Sequence, residues 1–194
     1  MVIMPVTSSP RGRPAGTNSE KTRQRIITAA IRRVAEVGRS GATIREIASA
    51  AEITSASLYH YFPNKAELMA ATVAAAREIA LPRLRASAQR GGTVADQLAA
   101  VLAEADRLSH DRPYLAAFER ATGEVSPLRD VIGEIVGEAQ RSGALAAADV
   151  DADGAADAVY ALTRGLTEQA AQLPPGAYRA TLHSAEDLIR GTLF

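Results

Sequence analysis

The sequence predicts an all-α protein. Alanine, leucine, valine and isoleucine supply much of the 47% of residues that are hydrophobic, whereas only 4% are aromatic and tryptophan is absent. This composition favours closely packed helices over β-sandwiches. Apolar residues recur at helical spacing along most of the chain, and no alternating pattern is long enough to indicate a strand.

Three helices and the start of a fourth are predicted in the N-terminal part. The first covers 19–37 and ends at Gly38, a residue type that is common just after a helix C-terminus. Thr43 and Thr54 are each placed to cap a short helix. The fourth helix starts near Asn64 and is ended or kinked by Pro82. The apolar stripe of the first helix consists of Ile27, Ala30, Ile31, Val34 and Val37.

Five further helices are predicted after Gly91 and Gly92. The first covers 93–108, and prolines at 113 and 127 are well placed to open the next two. A longer helix covers 153–173 and is stopped by the proline pair at 174–175. The last covers 177–192.

Charge divides the chain into two unequal parts. Residues 1–65 hold ten Lys and Arg against four Glu, a net charge of +6, and residues 66–194 hold twelve basic and eighteen acidic residues, a net of −6. Positive charge concentrated at one end is typical of a protein that binds a polyanion. We therefore predict a disordered basic arm at 1–18, a helix-turn-helix domain at 19–65, and a helical body at 66–194.

The segment 43–68 predicts the nucleic-acid-binding surface. Its second helix presents short polar side chains at Thr54, Ser55, Ser57 and His60, which suit close docking into a DNA major groove. The alternative is an ordinary helical hairpin with a polar face. Arg11 and Arg13 in the arm either enter an A·T-rich minor groove or belong to an ordinary disordered tail.

Several other classes of function are disfavoured. The chain has no cysteine, so it has neither disulfides nor thiolate metal sites. Its three histidines are too far apart in sequence for metal-ligand spacing, and no catalytic triad, nucleophile elbow or phosphate-binding loop is evident. We expect no metal, no cofactor and no enzyme activity. No secretory signal or membrane span is visible, so we expect a cytoplasmic protein without a membrane partner.

The pattern in residues 20–70 resembles the TetR family of bacterial transcriptional regulators. The matching positions are Thr43, Ile47, Ala48, Ala51, Ile53, Leu58, Tyr59, Tyr61, Phe62, Lys65 and Leu68. The resemblance implies a repressor that is released from a palindromic operator in double-stranded DNA by a small-molecule effector. It also implies a homodimer formed by the last two helices. The main alternative keeps the DNA-binding domain but makes the body a protein-partner or purely dimerising module without an effector.

The resemblance also implies roles for individual residues. The implied DNA contacts are Thr43, Arg45, Thr54, Ser55, Ser57, Tyr59, His60 and Lys65. Bulky or polar groups are scarce in the alanine-rich body, and those predicted for an effector pocket are Tyr114, Phe118, Tyr160 and Arg164. Glu52 departs from the family pattern, because it occupies a turn position where the family usually has glycine; the left-handed backbone expected there costs other residues about 1 kcal/mol.

Overall fold

Nine helices account for nearly all of the described residues, and no strand occurs among them. The computed structural model describes residues 15–123, 126–145, 151–170 and 172–192. The helices are α1 (Ala15–Gly41), α2 (Ile44–Ala50), α3 (Ser55–Tyr61), α4 (Lys65–Ala88), α5 (Val94–Asp111), α6 (Pro113–Thr122), α7 (Pro127–Ser142), α8 (Ala152–Ala170) and α9 (Pro175–Thr192). The all-α prediction is confirmed.

The short helices begin at side-chain caps. The Thr43 hydroxyl accepts a hydrogen bond from the Glu46 N–H at 3.2 Å, and the Thr54 hydroxyl accepts one from the Ser57 N–H at 3.1 Å. The side-chain amide oxygen of Asn64 likewise accepts from the Glu67 N–H at 2.9 Å, at the start of α4. Because a seven-residue helix has little intrinsic stability, these caps and the packing beneath them determine where α2 and α3 form.

The first helix differs from its prediction at both ends. It begins at Ala15, four residues before the predicted start, and only residues 1–14 of the predicted arm lie outside the described residues. Arg11 and Arg13 are among those. Gly38 adopts a left-handed φ of 77° and breaks the helical path. The buried stripe therefore ends at Val34, and the prediction that Val37 is buried is wrong, since it is 41% exposed.

The fourth helix continues past Pro82 to Ala88. The proline ring is exposed to solvent, whereas Ala80 and Leu84 on either side are buried. Proline removes one backbone donor from a helix, and here packing on both sides of the lost bond keeps the helix intact. The possibility that the helix ends at Pro82 is therefore wrong.

Helix α1 is the central element of the N-terminal part. It packs against α2, α4 and, most extensively, α6, while α7 packs on α4 and α8, and α8 packs on α9. Arginines on α4 tie it to its neighbours: Arg83 donates to Glu104 of α5 at 2.7 Å, and Arg85 donates to Glu134 of α7 at 2.6 Å. No helix in the described part of the chain is long and apolar enough to cross a membrane.

Candidate functional site

One face of α3 is buried and the opposite face is open. Leu58 is fully buried and Phe62, which caps the helix, is 2% exposed. The guanidinium of Arg23 on α1 lies 4.8 Å from the centre of the Phe62 ring and closes that side. On the open face Thr54, Ser57, Tyr59 and His60 are exposed, Tyr59 to 49%, and Ser55 is half-buried.

An ion pair fixes α2 on α1. Arg33 of α1 donates to Glu46 of α2 at 2.7 Å, and the other carboxylate oxygen of Glu46 accepts from the Thr43 N–H at 3.1 Å. The Thr43 hydroxyl also contacts Glu46, so the cap and the ion pair share one carboxylate. Thr43 and Arg45 are exposed at the start of α2.

The shared carboxylate should give this region a distinct acid sensitivity. The hydrogen bond from Arg33, followed by those from Thr43, lowers the pKa of Glu46 from 4.5 to about 2. Because the folded pKa lies below the unfolded one, the stabilisation is complete above about pH 4.5 and is lost as pH falls toward about 2. Glu46→Gln retains a capping side chain but removes the charge. We expect the variant to be less stable than wild type at neutral pH, with the difference shrinking to near zero at about pH 2.

Denaturant unfolding monitored at a series of pH values checks this expectation. Glu78→Gln, an exposed substitution on α4, is the matched control and should show no comparable pH-dependent difference. A Glu46→Gln difference that is independent of pH would contradict the ion-pair explanation.

The turn between α2 and α3 contains the unusual residue noted in the sequence. Glu52 has a φ of 55°, as the resemblance implied, and its side chain is exposed. Two backbone bonds hold the turn: the Glu52 N–H donates to Ser49 O and the Ile53 N–H donates to Ala48 O, both at 3.0 Å. The turn keeps its shape without glycine because these bonds and the buried Ala48 and Ala51 constrain it.

Lys65 joins two elements at the edge of this surface. Its ammonium donates to the backbone carbonyl of Arg39, near the end of α1, at 2.9 Å. An ammonium has three donors, so this bond leaves capacity for a further acceptor. The bond positions the start of α4 beside the α2–α3 pair.

The body contains a cavity of about 670 Å³ between α4, α5, α6, α7, α8 and α9, a size typical of small-molecule sites. Its apolar walls include Ala76, Ala80, Leu84, Leu102, Leu115, Leu128 and Leu166. Its polar groups include Asp106, His110, Glu119, Arg120, Ser126, Tyr160, Thr163, Arg164, Glu168 and Tyr178.

The four predicted pocket residues lie in three different environments. Tyr160 and Arg164 of α8 line the cavity. Phe118 is instead a core residue, 2% exposed. Tyr114 lies on the side of α6 that meets α1, where the Arg32 guanidinium is 5.7 Å from its ring centre. Helical spacing explains the difference, because Phe118 is one turn from Tyr114 whereas Glu119 and Arg120 are turned toward the cavity.

Glu119 is one of the polar cavity residues that the sequence did not indicate. Its carboxylate accepts a hydrogen bond from the Ser126 hydroxyl at 3.2 Å. Burial raises the pKa of Glu119, against the opposing effects of the Ser126 bond and the charges of Arg164, Arg120 and Arg77. A glutamate on an amphipathic helix ordinarily lies in solvent, so its sequence position gave no indication of a cavity.

Comparison with known proteins identifies the N-terminal part of the chain. Residues 26–72, from the middle of α1 into α4, match the family model described as bacterial regulatory proteins, tetR family. The transcriptional regulator AcuR of Cereibacter sphaeroides is 36% identical over a match that covers 37% of this chain. The chain thus spans only 37% of the length of that curated relative.

Solved structures resemble the whole fold. FadR from Bacillus subtilis, a transcriptional regulator solved with stearoyl-CoA, has a TM-score of 0.68 at 18% identity, covering 88% of this chain and 99% of FadR. A proposed regulator from Pseudomonas aeruginosa PAO1 has a TM-score of 0.70 at 21% identity, covering 93% of this chain and 92% of that one. At these identities the likeness shows the fold alone. The family match is confined to residues 26–72, and over most of its length the chain shares the fold of these solved regulators.

Proposed function

We propose that this chain is a homodimeric repressor that a small molecule releases from a palindromic operator. The main support for DNA binding is the open face of α3. Exposed polar side chains lie there on a helix whose other face is buried. A rigid helix with short exposed side chains can enter the major groove closely. The net charge of +6 in residues 1–65 favours the same surface for DNA.

The proposed DNA contacts fall into two groups. Thr54, Ser55, Ser57 and His60 face base edges or nearby phosphates from α3. Thr43, Arg45, Tyr59 and Lys65 lie at helix ends or edges, where contacts to phosphate oxygens set the register of a protein on the duplex. Arg11 and Arg13 would add minor-groove contacts from the arm.

A symmetric dimer would supply two recognition helices. We assign the dimer interface to α8 and α9, whose exposed faces carry small residues such as Ala158, Ala161 and Ala180 together with Leu188, which is 52% exposed. Two-fold symmetry in the protein matches a palindrome in the operator, with half-sites about one helical turn apart or a multiple of it.

Helix α6 connects the proposed effector site to the DNA-binding part. Its Leu115, Ala116, Glu119 and Arg120 line the cavity, while the same helix makes the most extensive packing with α1. A ligand that displaces α6 would move α1 and the α2–α3 pair that is fixed to it by Arg33 and Glu46. Effector and operator affinities would then be reciprocally coupled.

A gel shift with the region upstream of the protein's own gene tests DNA binding. We expect a dimer-sized complex that a ligand of the cavity dissociates. No binding to any genomic fragment would contradict the regulator proposal. In the alternative, the body is a protein-partner or purely dimerising module. The protein would then bind DNA normally, but no compound in a broad ligand panel would raise its melting temperature.

Lys65→Ala tests the phosphate contact at the start of α4. Removing one cation that pairs with phosphate should reduce the slope of log binding constant against log salt by about one, and weaken binding on all sequences alike. Arg141→Ala, which removes an exposed cation on α7, is the control and should leave the slope unchanged. Equal slopes for wild type and Lys65→Ala would show that the ammonium serves only the Arg39 carbonyl.

A further inference from the structure

The apolar walls of the cavity indicate the chemical character of most of its ligand. Ala76, Ala80 and Leu84 of α4 and Leu102 of α5 form one side, so the larger part of any well-fitting ligand is apolar. The polar groups on α6 and α8 decide the chemistry of its remaining part.

Among those groups, Glu119 is the acid with the least local compensation. Its hydrogen-bond partner is the neutral Ser126 hydroxyl, which donates to the carboxylate at 3.2 Å and carries no charge to balance it. Among the described residues, no arginine, lysine or histidine forms an ion pair with Glu119. Glu119 is half-buried, and a carboxylate that loses part of its hydration without a counter-ion is costly.

The arginines that influence Glu119 are engaged elsewhere. Arg77 of α4 pairs with Asp130 of α7. Arg164 of α8 lies 3.9 Å from Glu168, and the neighbouring Tyr160 raises the pKa of its guanidinium. Arg120, the third, is exposed to solvent. Their charges reach Glu119 only at longer range, so a cation could still approach its carboxylate from within the cavity.

The remaining polar wall also favours a cation. Three acids line the cavity, namely Asp106, Glu119 and Glu168. Asp106 lies 3.7 Å from His110 and Glu168 lies 3.9 Å from Arg164. In the part of the chain that the structure describes, this leaves Glu119 as the acid of this wall without a basic partner at such a distance. Tyr160 and Tyr178 line the same space, and aromatic rings attract cations placed over their faces.

We propose that the cavity binds a hydrophobic amine, with its ammonium group against the Glu119 carboxylate and its apolar part along α4 and α5. This assignment rests on the proposed function, in which the cavity is the effector site. The ammonium would supply the counter-ion and the hydrogen-bond donor that the protein itself does not.

Three probes with the same ten-carbon chain test the assignment: decylamine, decanol and decanoate. Isothermal titration of the full chain near neutral pH should give an affinity for decylamine about tenfold higher than for decanol, as expected for one hydrogen bond to a charged group, with decanoate weakest. Equal affinity for all three, or a preference for decanoate, would overturn the proposal.

Glu119→Gln should remove the preference for decylamine over decanol while leaving decanol binding unchanged. Glu168→Gln removes another acid from the cavity wall and should retain the preference for decylamine over decanol. Thermal unfolding of both variants checks folding, and the wild-type comparison of the three probes decides the question if Glu119→Gln does not fold. A preference that survives in a folded Glu119→Gln would overturn the assignment to this residue.

The same probes separate this inference from the function on which it rests. Decylamine that binds through Glu119 but leaves the operator complex intact in a gel shift would contradict the repressor mechanism and support the amine site. If decanoate bound best and dissociated the operator complex, the result would contradict the amine site and support the repressor mechanism.

Discussion

Replacing Phe118 with alanine is expected to lower the free energy of unfolding by about 3–5 kcal/mol. Phe118 is among the largest fully buried side chains of the described residues, and it lies in α6, the helix that packs most extensively on α1. Alanine would leave a void that the surrounding leucines and isoleucines fill only in part. Urea unfolding of wild type and Phe118→Ala gives the difference in their free energies of unfolding, provided that both show the same dependence of that free energy on urea concentration.

The Phe118 variants also distinguish a role in the hydrophobic core from the predicted role in the effector pocket. A smaller loss is expected for Phe118→Leu, which keeps most of the buried apolar volume. If Phe118→Ala unfolded like wild type but bound cavity ligands poorly, the sequence-based assignment of Phe118 to the effector pocket would be correct. The burial observed here favours the core.

Tyr59→Ala is expected to weaken operator binding by about 1.5–3 kcal/mol, or about 10- to 150-fold, if its hydroxyl bonds to a phosphate. Nearly half of the Tyr59 surface is exposed, so the same change should alter the free energy of unfolding by less than about 0.5 kcal/mol. Gel shifts or fluorescence anisotropy at one fixed salt concentration measure the affinity.

Tyr59→Phe is the matched control because it removes only the hydroxyl. It should lose nearly as much affinity as the alanine variant if the phosphate bond dominates, and little if the ring itself makes the contact. Operator binding by Tyr59→Ala as tight as that of wild type would mean that α3 is turned away from the DNA.

The elements best predicted from sequence are those with a local chemical cause. Thr43, Thr54 and Asn64 cap helices where their side chains can accept a backbone hydrogen bond, and prolines 113 and 127 open helices where no N–H is needed. The failures depend on tertiary surroundings. Val37 has the right spacing for the core, but the turn at Gly38 removes the surface against which it would pack.

The candidate sites show the same division. The open and buried faces of α3 follow from helical spacing within seven residues, so sequence alone indicated which side chains are exposed. The cavity is lined by residues of six helices that span more than 100 positions of the sequence, from Ala76 to Leu182, and its lining depends on how α6 is rotated. Rotation by one residue exchanges Phe118 for Glu119, a difference that periodicity alone does not resolve.

Because α4 is uninterrupted, a tilt of this helix at the cavity would displace its other end. Its 24 residues span about 36 Å, from Lys65 beside the α2–α3 pair to Ala88 near the far end of the body. Ala76, Ala80 and Leu84, which border the cavity, lie from the middle of the helix onward. A tilt of about 5° over this length would displace one end by about 3 Å, which approaches the 3.4 Å rise of one base pair. Had Pro82 ended the helix, Leu84 would lie outside this rigid element and the arm that enlarges a shift at the cavity would be shorter.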